Sequence, residues 1–170
     1  RCDLGSAGGG HLPARLTGVC SAFARRLLGV CSAFARTVSM PEGPEVETIR
    51  ATLVPLLLGR VLVGAWVSNK RLRAPLRTAS LAPLVGRAVV ALGRRGKALW
   101  IEGEVGSGVL VRLGMTGRLV VEDAAADPAA HTHVKLGLAG GAELRFIDPR
   151  RFGSVVPYRS AAGRDRLLAD

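Results

Sequence analysis

The stretch AVVALGRRGKALWIEGEVGSGVLVRLGMTGRLVVED, Ala88–Asp123, decides the fold class. It holds four short apolar runs, Ala88–Leu92, Ala98–Glu102, Val109–Leu113 and Leu119–Glu122, separated by glycine and arginine. Such runs have strand length, and glycine supplies the backbone freedom that the turns between them need. The same grammar continues on both sides, with Val61–Val67 before it and Val134–Leu138, Glu143–Ile147 and Ser154–Pro157 after it. Asp123–Ala130 reads as a surface loop. Many short strands with turn signals between them predict a sandwich or a barrel. One helix is expected ahead of the strands. Pro44 sits at a first helical position, and Glu45 and Glu47 fall in the first turn, where the macrodipole favours acids. Val46, Ile49, Leu53 and Leu56 follow at helical spacing and give one apolar stripe. Pro55 is expected to kink or end that helix and Gly59 to close it. Gly163–Asp170 begins a second helical-looking segment.

Composition narrows the class. The chain has 170 residues, 48% of them hydrophobic, which suffices for one ordinary domain with a core and argues against wholesale disorder. No apolar run approaches the roughly 18 residues of a membrane-spanning helix. Lys and Arg number 24 against 13 Asp and Glu, a net charge of +11, which points to a polyanionic partner. The charge is concentrated in residues 60–118, where eleven basic side chains meet two acids, a local balance of +9. Aromatic residues make up only 4%, too few for a single-strand platform of stacked bases, although a few wedge residues suit duplex binding. The three cysteines, Cys2, Cys20 and Cys31, all precede Ser32, so the body of the chain has neither a disulfide framework nor a thiolate metal site.

Residues 1–39 read differently from the rest. LTGVCSAFAR (Leu16–Arg25) recurs as LLGVCSAFAR (Leu27–Arg36), a tandem copy too short to bury a core. One acid, Asp3, stands against five arginines there. That composition fits a transit peptide or a secretory leader. The preferred reading is upstream sequence translated ahead of a start at Met40.

Five short segments carry candidate chemistry. In Met40-Pro41-Glu42-Gly43-Pro44-Glu45, removal of Met40 exposes Pro41 as an N-terminal secondary amine. An α-amino group titrates near ~8, so part of it is neutral at neutral pH and able to attack an electrophilic sugar carbon. Glu42 then stands ready as acid or base. The plain reading of the same residues is a proline-rich turn capping a helix. Arg94-Arg95-Gly96-Lys97 leads into the strand at Ala98. Alternation would set Arg95 and Lys97 on one face for phosphate, and a solvated hairpin tip is the plain reading. Leu113-Gly114-Met115-Thr116-Gly117 sets a methionine between glycines at a turn, either as a wedge for a base stack or folded back onto the core. His131-Thr132-His133 would place both imidazoles on one strand face. No third or fourth ligand presents itself, so phosphate contact or ordinary hydrogen bonding is preferred to a metal. Asp148-Pro149-Arg150-Arg151-Phe152-Gly153 reads as a turn that projects Arg150 and Phe152, or as an ordinary turn with Phe152 buried.

Taken together, PEGPEVETIR (Pro41–Arg50), RRGKALW (Arg94–Trp100), RLGMTGRL (Arg112–Leu119), HTHVKL (His131–Leu136) and RFIDPRRFG (Arg145–Gly153) resemble the formamidopyrimidine-DNA glycosylase family, whose sister group is endonuclease VIII. The resemblance runs from about Met40 onward. It implies an α+β, mainly β fold, a two-layer β-sandwich flanked by helices. Residues 1–39 would be a non-family leader, 40–160 the N-terminal catalytic domain, and 161–170 the start of a linker to a missing C-terminal DNA-binding domain. It implies a bifunctional DNA glycosylase/AP lyase of base excision repair acting on oxidised purines. Pro41 would be the Schiff-base nucleophile, Glu42 the proton donor and Lys97 the β-elimination lysine. Met115, Arg150 and Phe152 would fill the gap left by the everted base, and His131 with Arg150 would contact DNA. The implied partner is double-stranded DNA with oxidised bases or abasic sites, the implied state a monomer without membrane attachment, and the implied place the bacterial cytoplasm at the nucleoid. No cofactor is expected in this chain. The family's zinc belongs to a four-cysteine finger in the missing domain, and the fragment alone is expected to be inactive. Three departures from the family pattern stand out. Gly43 stands where the oxidised-purine branch usually has leucine, which allows an endonuclease VIII-like activity on oxidised pyrimidines. Arg112 stands where histidine is common. The missing second domain allows a non-catalytic DNA-binding fragment.

Overall fold

A computed structural model describes residues 42–169. The duplicated segment within residues 1–39, the three cysteines and Pro41 lie outside the described residues.

The described chain opens with helix α1, Gly43–Leu57. Glu42 is its N-cap residue, and the Glu45 carboxylate accepts the Glu42 N–H, which satisfies a donor that the helix itself cannot. Val46, Leu53 and Leu57 are buried, with Ile49 and Leu56 partly buried beside them. The expected stripe is therefore present, with Leu57 added to it. The helix runs two residues past Pro55 before it ends.

Eight strands follow: β1 Leu62–Val67, β2 Val89–Arg95, β3 Ala98–Gly103, β4 Gly108–Arg112, β5 Arg118–Asp123, β6 Thr132–Leu138, β7 Ala142–Ile147 and β8 Ser154–Tyr158. They form two antiparallel four-stranded sheets, ordered β1-β6-β7-β5 and β2-β3-β4-β8. One apolar core unites them, drawing Leu62, Val121, Leu136 and Phe146 from the first sheet, Leu92, Leu99, Val109, Val111 and Val155 from the second, and Val46, Leu53 and Leu57 from α1. This is the expected two-layer sandwich.

The period of two along β3 and β4 explains how the second sheet serves two partners. Leu99, Ile101, Val109 and Val111 face the main core. The alternate residues Ala98, Trp100 and Leu110 join Tyr158 in a smaller cluster on the outer face. Helix α2, Ala161–Ala169, covers that face with Leu167 and Leu168. Arg164 fastens it, pairing with Glu102 and lying 5.2 Å from the Trp100 ring centroid. On the first sheet, Arg145 is fully buried. It donates to Glu122 at 2.7 Å, to Glu143 at 3.0 Å and to the carbonyls of Asp123, Ala126 and Asp127. The Asp123–Ala130 loop is thus held by its own carbonyls around one guanidinium, whose planar fork of donors suits that task. Arg145 belongs to the fold and is not available to a ligand.

Candidate functional site

The site is built from four loops and the start of α1. Turn Gly96-Lys97 joins β2 to β3, with Arg95 paired to Ala98 and Gly96 at φ +58. Glycine at the first position of a two-residue hairpin supplies the positive φ that matches strand twist. Lys97 therefore sits on the hairpin tip. It does not continue strand β2 two positions past Arg95, and the expected shared strand face of Arg95 and Lys97 does not form. Instead the Lys97 Nζ donates to Glu42 Oε1 at 2.8 Å. Their side chains are 48% and 58% exposed, so the pair contributes little to stability. Its interest is chemical: it sets an ammonium and a carboxylate together immediately after residue 41.

Lys97 also lines a cleft of about 520 Å³ with Val46, Arg73, Arg112, Gly114 and Phe152. Every charged residue lining it is a cation, a setting for phosphate. Arg73 carries no role in the sequence reading. The signal for it lay in the acid-free basic run that contains Lys70, Arg71, Arg73 and Arg77. Arg112 also donates to the Leu167 carbonyl of α2 at 2.7 Å, so the cleft wall and that helix share a residue.

Met115 and Phe152 are exposed, 41% and 51%, which sets aside the reading of either as a buried core residue. Their loops touch backbone to backbone. Gly114 has φ +65, and a Cβ there would lie 2.8 Å from Gly153 N, so a side chain would force the two loops apart.

Asp148 joins these loops, although the sequence presents it only as a turn former. It is fully buried. Its Oδ1 accepts from the Thr116 hydroxyl at 2.6 Å and the Arg150 N–H at 3.2 Å, and its Oδ2 from the Gly153 N–H at 2.8 Å. Its N–H donates to the His131 carbonyl at 3.0 Å, and its carbonyl accepts from His133 Nε2 at 3.0 Å. One residue thereby ties together the loops that carry Met115, His131, Arg150 and Phe152. The aspartate before proline predicts the turn. The Thr116 contact spans 32 residues and has no local signal.

The two histidines part company, contrary to the expectation of a shared face. His131 is exposed at φ +66 ahead of the strand, whereas His133 is buried, because the β6–β7 register shifts between Thr132 and Val134. The Asp148 carbonyl can only accept, so His133 carries its proton on Nε2, and Nδ1 lies 3.1 Å from the Ser68 hydroxyl. Burial pushes the His133 pKa below the usual histidine value, against a smaller opposing effect of the Asp148 backbone contact. Arg150 is exposed beside Arg151, which adopts φ +59. Glu47 accepts from Arg50 and from Arg94 Nε at 2.9 Å, and these guanidiniums, Arg50 first, hold its carboxyl down at about 2. Among the described residues no group of three or more His, Cys, Asp or Glu side chains is placed to hold a metal ion.

Residues 40–155 match the model of the formamidopyrimidine-DNA glycosylase N-terminal domain. The chain belongs to this family. The glycosylase-family chain is 42% identical over 133 residues to the formamidopyrimidine-DNA glycosylase of Azorhizobium caulinodans, covering 70% of this chain and 45% of that protein. It is similar to the crystal structure of the MutM (Fpg) protein from Thermus thermophilus, with TM-score 0.60, 38% identity, and 76% of this chain and 45% of that one covered. It is also similar to the Lactococcus lactis Fpg in complex with an abasic site containing DNA, with TM-score 0.69, 25% identity, and 76% and 48% covered. The glycosylase-family chain thus spans somewhat less than half the length of the relatives it matches.

Proposed function

We propose that this chain supplies the catalytic domain of a DNA glycosylase/AP lyase acting on oxidised purines in duplex DNA. The amine of Pro41, freed from Met40, attacks C1′ of the damaged nucleotide. The C1′–N bond breaks, the base leaves with a proton, and the sugar opens to an iminium. Loss of a C2′ proton then expels the 3′ phosphate, and water releases the enzyme from the sugar. Glu42 moves the protons on the sugar, and Lys97 supplies the charge for elimination. Met115, Arg150 and Phe152 occupy the space of the everted base, offsetting part of the few kcal/mol that eversion costs. His131 and Arg150 hold the backbone. The enzyme works as a monomer in the bacterial cytoplasm at the nucleoid.

The observation that carries this reading is the 2.8 Å contact between Lys97 and Glu42, directly after residue 41 and at the edge of a cationic cleft shared with Phe152. The test is borohydride trapping by the full-length gene product beginning at Pro41, on duplexes holding 8-oxoguanine, thymine glycol or an abasic site. The expected result is a covalent adduct that Pro41→Gly abolishes, with 8-oxoguanine preferred to thymine glycol. No adduct on any duplex contradicts the chemistry, and preference for thymine glycol contradicts the purine assignment.

A second reading is duplex binding without cleavage. It is favoured by the placement of Pro41 after Met40, because a mid-chain proline nitrogen is an amide and no nucleophile. Salt-sensitive binding without strand cleavage by the 170-residue chain is its signature.

A further inference from the structure

Helix α1 and the β2–β3 hairpin run side by side, and three contacts join them in matched order. Glu42 meets Lys97 at 2.8 Å, Glu47 meets Arg94 at 2.9 Å, and Arg50 reaches the Leu92 carbonyl at 3.4 Å. Going down the helix, 42, 47 and 50 correspond to 97, 94 and 92 going back along the hairpin. The buried face of α1 is aliphatic, and such contacts choose a face without fixing axial position, since dispersion is non-directional. The first contact cannot set its own geometry, because it joins two flexible side chains that are half exposed.

Arg94 supplies the missing direction. Its Nε donates to Glu47 and its Nη1 donates to the Gly96 carbonyl at 2.9 Å. One planar guanidinium therefore holds the helix with one edge and, with the other, the turn that presents Lys97. Lysine lacks this fork. Glu47 is held from a second side by Arg50, at 2.9 Å and 3.1 Å.

We infer that Glu47 and Arg94 are positioning residues that fix the axial register of α1 on the β2–β3 hairpin and so hold the Glu42 carboxylate on the Lys97 ammonium. The inference rests on the proposed role of Glu42 and Lys97 and deepens it. Neither Glu47 nor Arg94 touches substrate in this account. They act through the pair.

The test does not need turnover. The chain has three lysines, Lys70, Lys97 and Lys135. Reductive ¹³C-dimethylation of the 170-residue chain gives a resolvable signal for each, assigned by Lys→Arg substitution. Glu42→Gln defines the shift of the Lys97 signal when its partner is lost. Glu47→Gln and Arg94→Gln are expected to move that signal in the same direction by at least about half as much, with the Lys135 signal, set by Glu143, unmoved. Arg94→Lys keeps the charge but cannot bond Glu47 and Gly96 at once, and it should move the Lys97 signal part of the way. This milder variant decides the matter if a neutral one unfolds the domain. A Lys97 signal that stays at its wild-type position in Arg94→Lys and in every folded neutral variant overturns the inference. In the product beginning at Pro41, Glu47→Gln should slow single-turnover trapping about tenfold while affinity for undamaged duplex holds within about twofold. Equal losses of both also overturn it. Failure of the wild-type protein to trap rejects the proposed function and leaves the Lys97 signals to judge the register.

Discussion

Asp148 shows how a single buried carboxylate organises a surface. Its oxygens accept from Thr116, Arg150 and Gly153, which lie on two different loops. Asp148→Asn keeps an acceptor but turns one oxygen into a donor facing an N–H, so a buried donor loses its partner. A loss of about 1–3 kcal/mol in a urea melt is expected, and a change below about 0.5 kcal/mol would contradict the role. Phe152 makes the opposite case. It is half exposed, so Phe152→Ala should leave stability within about 0.5 kcal/mol. Under the proposed function, affinity for a duplex with an abasic site should fall at least about tenfold, because the proposed wedge is gone. Equal affinity of the variant would show that the ring stays out of the stack. The chemical identity of both loops was legible in the sequence, since Met between glycines and Asp-Pro-Arg-Arg-Phe-Gly are unusual strings. What joins them was not, because the Thr116 hydroxyl and the Asp148 carboxylate meet only through the packing of β4, β5 and β7. The fate of the two histidines was hidden for a like reason. A β-bulge changes which face a residue takes, and alternation read along one strand does not contain it.

The eight strands were legible almost to their ends, because each is a short apolar run stopped by glycine or a charge. Their pairing was not: β1 lies beside β6, and β5 beside β7, so non-local pairing decides each sheet. Helix α1 was legible from its stripe, and its passage through Pro55 follows from burial of Leu53 and Leu57 on either side. Helix α2 depends wholly on tertiary contacts, since nine residues are too few to hold a helix in water. Trp100 supplies both an apolar seat and a ring for Arg164. Trp100→Ala should therefore expose the amides of Ala161–Ala169 to hydrogen exchange while those of β3 and β4 stay protected. Retained protection in α2 would show that Leu167 and Leu168 suffice without it.

The described domain joins a mainly apolar core to a surface richer in cations than in acids, and its stability should sense mild acid through one residue. His133 is buried with its pKa depressed below about 6.5. The unfolded chain therefore takes up the proton at higher pH than the folded one, so stability is full above about pH 6.5 and falls as the pH drops toward the folded value. Glu47, held at about 2, loses its contribution as the pH falls from the usual carboxylate value toward 2 and leaves this window clear. A Tm that falls between about pH 7 and pH 5 in the wild-type chain, and much less in His133→Gln, is expected. Equal slopes in both would refute the assignment. No helix among the described residues is long and apolar enough to cross a membrane, and the net charge of +11 suits a duplex. The proposed chemistry turns on which nitrogen meets the sugar. Peptide mapping by mass spectrometry of the adduct trapped on abasic-site duplex answers this directly. The expected result is the sugar remnant on the α-nitrogen of Pro41 in a peptide that starts at that residue. A remnant on the Nζ of Lys97, or on a peptide in which Pro41 is still joined to Met40, would contradict it.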